Sequence, residues 1–159
     1  MRWPRRSSLP RDLVNRLELR RGERVLSHAA SDSGTLVATL HALHLPGGHA
    51  VPWEQIDRAR WDDDGLVFVE EGAGEHRFAI ADPGALAETV FERVTATILA
   101  SRRIAIAGES GARLVARRPP GGDTVTWQVH LDDGVDPEDD AVRARVGAAL
   151  DRLQEQLGV

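Results

Sequence analysis

The chain has 159 residues, 42% of them hydrophobic and 28% charged, enough to build a packed core and to make wholesale disorder unlikely by composition. It has no cysteine, and all 20 basic residues are arginine. Disulfides, thiolate metal sites, cysteine nucleophiles, lysine Schiff bases and a P-loop lysine are therefore excluded.

The charge is uneven. The first 24 residues hold eight arginines and three acidic residues, a local charge of +5, while the remainder holds 12 arginines and 22 acidic residues, or −10. Such an acidic body repels nucleic acid and anionic membrane, leaving the N-terminal arm, with Arg2, Arg5, Arg6 and Arg11, as the segment able to attract them. The alternative for this arm is a solvated tail. No apolar run approaches the roughly 20 residues of a membrane span, and no signal-peptide segment follows the basic start. A cytoplasmic location is expected.

Along the chain, "LPRDLVNRLELRRGE" predicts a short helix with Leu9, Leu13, Val14 and Leu17 on one face, Ser8 as its cap and Gly22 at its end. From Glu23 to Ala81 the pattern turns to β. "ERVLSHAA", the turn "SDSG", one long strand "TLVATLHALHLP" and the turn "PGGH" come first. "AVPWEQIDRARW", the turn "DDDG", "LVFVEE", the turn at Gly72–Gly74 and "HRFAIA" follow. Asp82 and Pro83 predict the start of a helix whose stripe is Leu86, Val90, Val94, Thr97 and Ile98, with Arg102 and Arg103 just past its negative end. Three strands are then expected in "RIAIAG", "ARLVARRP" and "TVTWQVHL". In the last, Val125, Trp127 and Val129 face one way, and Thr124, Thr126, Gln128 and His130 the other. A final helix is predicted with Asp136 as cap, Pro137 at its first position and Val142, Val146, Leu150, Leu153 and Leu157 as its buried stripe.

The fold class is α+β: an antiparallel meander or partly closed barrel capped by a helix, then a three-stranded β segment and a C-terminal helix. Its expected divisions are residues 1–22, 23–101 and 102–159, the last packed on the same structure.

Three stretches carry a resemblance: "GTLVATLHALHL", "VPWEQIDRARWDDDGLVFV", in which Val51, Pro52 and Ile56 form an I-P-x-x-x-I type entry, and "HRFAIADPGALAETVFERV". Over roughly residues 23–101 the chain resembles the bacterial pleckstrin-homology-like proteins. The resemblance implies a scaffold that binds lipid, peptide or protein through its loops. Residues 102–159 depart from that pattern. Fold alone does not assign function.

Candidate chemistry is sparse. Trp53 and Trp61 read as core struts, because Glu54, Asp57 and Asp62–Asp64 cancel the positive field that a base-stacking surface needs. His41, His44 and His49 read as H-x2-H-x4-H, but on a strand residues three apart point to opposite faces, which opposes a zinc site. The acidic strings "DDDG" and "LDDGVDPEDD" fit turns and helix starts, with weak calcium binding as the alternative. No serine sits in a nucleophile elbow. Arg102, Arg103, Arg113, Arg117 and Arg118 form the candidate partner surface, unless they pair with the chain's own acids.

The expected function is thus a non-catalytic binding or scaffolding module for a protein or peptide, with no cofactor. The alternatives are anion binding to nucleic acid or a membrane surface through the arm, and a small enzyme with a carboxylate or histidine site. Self-association is open if a sheet edge stays uncovered.

Overall fold

The computed structural model describes residues 9–159. The chain divides into two compact units, Met1–Thr95 and Ala96–Val159. The described residues form an α+β structure with three helices and three antiparallel sheets, none closed into a barrel.

In the first unit, α1 (Arg11–Arg16) is one and a half turns long and buries no residue fully. Its N-cap position is Pro10. The expected cap, Ser8, lies outside the described residues. The helix ends at Arg16, well before Gly22, because Glu18 takes a left-handed conformation with φ 49°.

Seven strands follow. β1 (Val25–Ser31), β2 (Gly34–Thr39), β3 (Ala42–His44) and β4 (Ala50–Pro52) form a four-stranded meander in sequence order. β5 (Ile56–Asp62), β6 (Gly65–Glu70) and β7 (Gly74–Ala79) form a three-stranded one. The stretch expected as one long strand is in fact the β2–β3 hairpin. Thr39 is the reason: its hydroxyl oxygen accepts from the backbone N–H of both His41 and Ala42 and turns the chain there.

Two bulges adjust the strands. In β1, Val25 pairs with Thr39 and Ser27 with Ala38, so Leu26 is the extra residue. In β5, the register slips between Asp57 and Arg60, and Arg58 sits at φ 52°. Without that slip Ile56, Arg58 and Arg60 would share a face. With it, Ala59 and Trp61 join Ile56 against the core.

The core of this unit draws on both sheets and on α2 (Leu86–Ala96). Leu36, Ala38, Leu43, Val51, Trp53, Ile56, Leu66, Phe68, Leu86 and Val90 are its fully buried members. α2 starts later than Asp82–Pro83 predicted. Asp82 Oδ1 accepts from the Gly84 N–H in a local turn, and the Pro83 carbonyl accepts from Leu86. The helix also stops at Ala96, so Thr97 and Ile98 are not part of its stripe.

The second unit is a three-stranded sheet in the order β10-β9-β8, with α3 on β8. Its elements are β8 (Ile98–Ala107), β9 (Ser110–Arg117), β10 (Thr126–Leu131) and α3 (Asp140–Leu157). Arg102 and Arg103 therefore lie within a strand, not past a helix end. Gly111 is tied to the close β8–β9 approach: a Cβ there would stand 1.9 Å from the Ile104 carbonyl oxygen. α3 is capped by Asp139, whose carboxylate accepts from the N–H of Ala141 and Val142. Asp136 instead holds the preceding turn through the Glu138 N–H. Of the predicted α3 stripe, Val142 and Leu153 are buried, Val146 and Leu150 half-buried, and Leu157 exposed.

Candidate functional site

The five body arginines do not converge. Arg103 and Arg113 are register partners, so Arg103, Arg113 and Arg117 share one sheet face and Arg102 and Arg118 the other. Arg103 is held by Asp132, with its Nη1 3.1 Å from Oδ1 and its Nη2 close to Oδ2. Hydrogen bonding to Asp132 raises the pKa of its guanidinium further. Arg113 is half-buried. Arg117 is buried, donating from Nε to Gln128 Oε1 at 3.0 Å and from Nη1 to Thr97 Oγ1 at 2.9 Å. Arg102 and Arg118 are exposed. In the arm, Arg11 is exposed at the start of α1, and Arg2, Arg5 and Arg6 lie outside the described residues.

Trp53 and Trp61 form no joint surface. Trp53 is fully buried in a 3-10 turn over Trp53–Gln55, and its Nε1 donates to the Thr39 carbonyl at 2.9 Å. Trp61 is half-buried against the same core.

Of His41, His44 and His49 only His44 lies on a strand; His41 sits in the β2–β3 turn and His49 in the loop before β4, so strand alternation does not govern them. His44 Nε2 lies 3.4 Å from Glu23 Oε1, whereas His49 Nε2 lies 2.9 Å from both oxygens of Glu70. A further histidine, His76, reaches Glu70 Oε1 at 2.9 Å and stacks on Phe68. Burial pushes the Glu70 carboxyl up, but hydrogen bonds from His49 and His76 outweigh it, and the net shift is downward. Glu23 behaves alike: burial raises its pKa, while hydrogen bonds from Thr39, the Arg20 N–H and His44 bring it below the usual range. Both clusters tie loops to strands. Among the described residues no group of three or more His, Cys, Asp or Glu is placed to hold a metal ion. In the acidic strings, Asp62 Oδ1 accepts from Asp64 and Gly65 within its turn, whereas Asp132 Oδ2 accepts from the Gly111 N–H on β9.

What the sequence did not flag is an open cavity of about 340 Å³ in the first unit. Arg24, Leu26, Leu40, Thr89, Glu92 and Arg93 line it. Thr89, Glu92 and Arg93 stand three and four residues apart, so they share one side of α2. A hydrogen bond from Ser27 Oγ to Thr89 Oγ1, 2.9 Å long, fixes that side beside β1. The bulge puts Leu26 at the cavity, where it is 40% exposed although apolar. β1 is an outer strand of its sheet, with no strand paired to its other edge among the described residues. The one early sign was the weak alternation of "ERVLSHAA", which the bulge interrupts.

No protein-family model matches this chain, and comparison with curated proteins and with solved structures gives no match. Among the described residues no helix is long and apolar enough to cross a membrane.

Proposed function

We propose that this chain is a non-catalytic binding module of pleckstrin-homology-like form, taking a protein segment or peptide between β1 and α2. The order of four meandering strands, three meandering strands and a helix supports the architectural part of the reading. The single observation that carries the functional part is the cavity at the β1 bulge. An outer strand offers unpaired backbone groups to an added strand, and the cavity beside it offers a place for a side chain. The net charge of −5 disfavours a polyanionic surface as partner.

The test is peptide selection by display against the folded protein, followed by mapping of amide shifts. The expected result is that selected peptides perturb residues 24–28 and 89–93 and are lost in Leu26→Asp. Peptides that perturb other segments, or that bind Leu26→Asp unchanged, overturn this reading.

A further inference from the structure

The cavity wall contains a cation whose hydrogen bonding is incomplete. Arg93 Nε is buried and has no hydrogen-bond partner among the described residues. A buried guanidinium nitrogen left unpaired is unfavourable, and a carboxylate satisfies it best, through two parallel N–H bonds, once the half-buried Arg93 side chain turns it toward the cavity. Arg24 supplies a second guanidinium to the same cavity, while Leu26 and Leu40 supply aliphatic wall. Glu92 places one negative charge on that wall, so the cavity suits a single carboxylate and repels a polyanion.

We infer that this cavity is a subsite for the free C-terminal carboxylate of a partner polypeptide whose last residue is aliphatic. This rests on the β1–α2 binding reading above. In a C-terminal residue the carboxylate and the side chain spring from one Cα. Both can therefore enter a cavity near the small end of the range for small ligands. The preceding residues run along the edge of β1 that pairs with no strand among the described residues. Arg93 receives the carboxylate, Arg24 screens it, and Leu26 and Leu40 enclose the terminal side chain.

The experiment uses octapeptides ending in Leu, Ile or Val, each made as free acid and as C-terminal amide, titrated against the full chain. The free acids should bind at least about tenfold more tightly than the amides, the loss expected when a buried charged partner goes unmatched. Arg93→Gln should erase the acid preference, and Arg93→Lys should restore only part of it because lysine lacks the fork. Phe91→Ala is the control; Phe91 is 70% exposed, does not line the cavity, and its loss should leave binding unchanged. Equal affinity of acids and amides, with sensitivity to Leu26→Asp retained, overturns the carboxylate subsite but leaves the groove standing. Insensitivity to Leu26→Asp, or no peptide binding at all, overturns both. Hexanoate alone binding as tightly as the peptides shows that the ligand is a small free acid, and overturns the polypeptide assignment.

Discussion

Trp53 donates its indole N–H to the backbone carbonyl of Thr39 at 2.9 Å, inside a core that excludes water from the ring. Thr39 is also the residue whose side chain forms the β2–β3 turn and meets Glu23. One indole thus braces the turn from below. Trp53→Phe should lower stability by about 1–3 kcal/mol, the usual cost of stranding a buried acceptor. Trp53→Ala should cost about 3–5 kcal/mol because a cavity is added. Chemical denaturation measures both. The Phe variant should also lose a blue-shifted component of the emission; a water-like difference spectrum would contradict the burial.

Acid should unfasten Glu70. Its folded pKa lies below the ordinary 4.5, so the stabilisation is fully present above that pH and is lost as pH falls through the lowered value. Glu70→Gln should therefore be less stable than the parent at pH 7, and the gap should close in strong acid. Glu23 shifts the same way and remains in that variant. The readout is the urea midpoint at a series of pH values. A gap that widens on acidification would refute the assignment.

Arg117 and Arg103 provide a contrast within one sheet. Arg117→Met removes the buried hydrogen bonds to Gln128 Oε1 and Thr97 Oγ1 and should cost about 1–3 kcal/mol. Arg103→Gln breaks an ion pair in water and should leave the unfolding midpoint unchanged within error. Trp127, the lone tryptophan of residues 96–159, reports on both.

Gly65 has little room for a side chain. A Cβ there would stand 2.1 Å from the Phe78 carbonyl oxygen, and φ is 142°. Gly72 also has positive φ, at 80°, but nothing within 4 Å of a Cβ. Gly72→Ala should cost about 1–2 kcal/mol, the left-handed penalty alone. Gly65→Ala should cost clearly more, because β7 backbone must move. Equal midpoints for the two variants would argue against the β6–β7 register.

Much of the architecture was legible because alternation and turn residues speak locally. "LVFVEE" puts Leu66 and Phe68 in the core as its period of two requires. The turns at Ser31–Gly34 and Asp62–Gly65 came from Ser, Asp and Gly chemistry. Helix starts were misplaced for a physical reason. Asp82 and Asp136 both accept from the residue two ahead, a local turn that competes with capping and delays the helix. The arginine set looked like one surface because the sequence pattern places Arg102 and Arg103 past a helix end rather than on β8, and because sequence does not show that Asp132 meets Arg103. The β1–α2 cavity was invisible for a similar reason. Its walls come from three separate places in the chain, and its floor depends on a bulge that breaks the only period there was to read.

The left-handed Arg58 sets a parity. Every residue from Ala59 to the Asp62 turn keeps its inward or outward sense only because the bulge leaves Arg58 out of the alternation. Removing Arg58 would take out the extra residue itself, so Asp57, Ala59, Arg60 and Trp61 would alternate regularly opposite Val69, Phe68, Val67 and Leu66, with Ala59 and Trp61 still facing the core. Deleting one residue at this position should therefore be tolerated, whereas deleting two would exchange inside for outside along the rest of the strand.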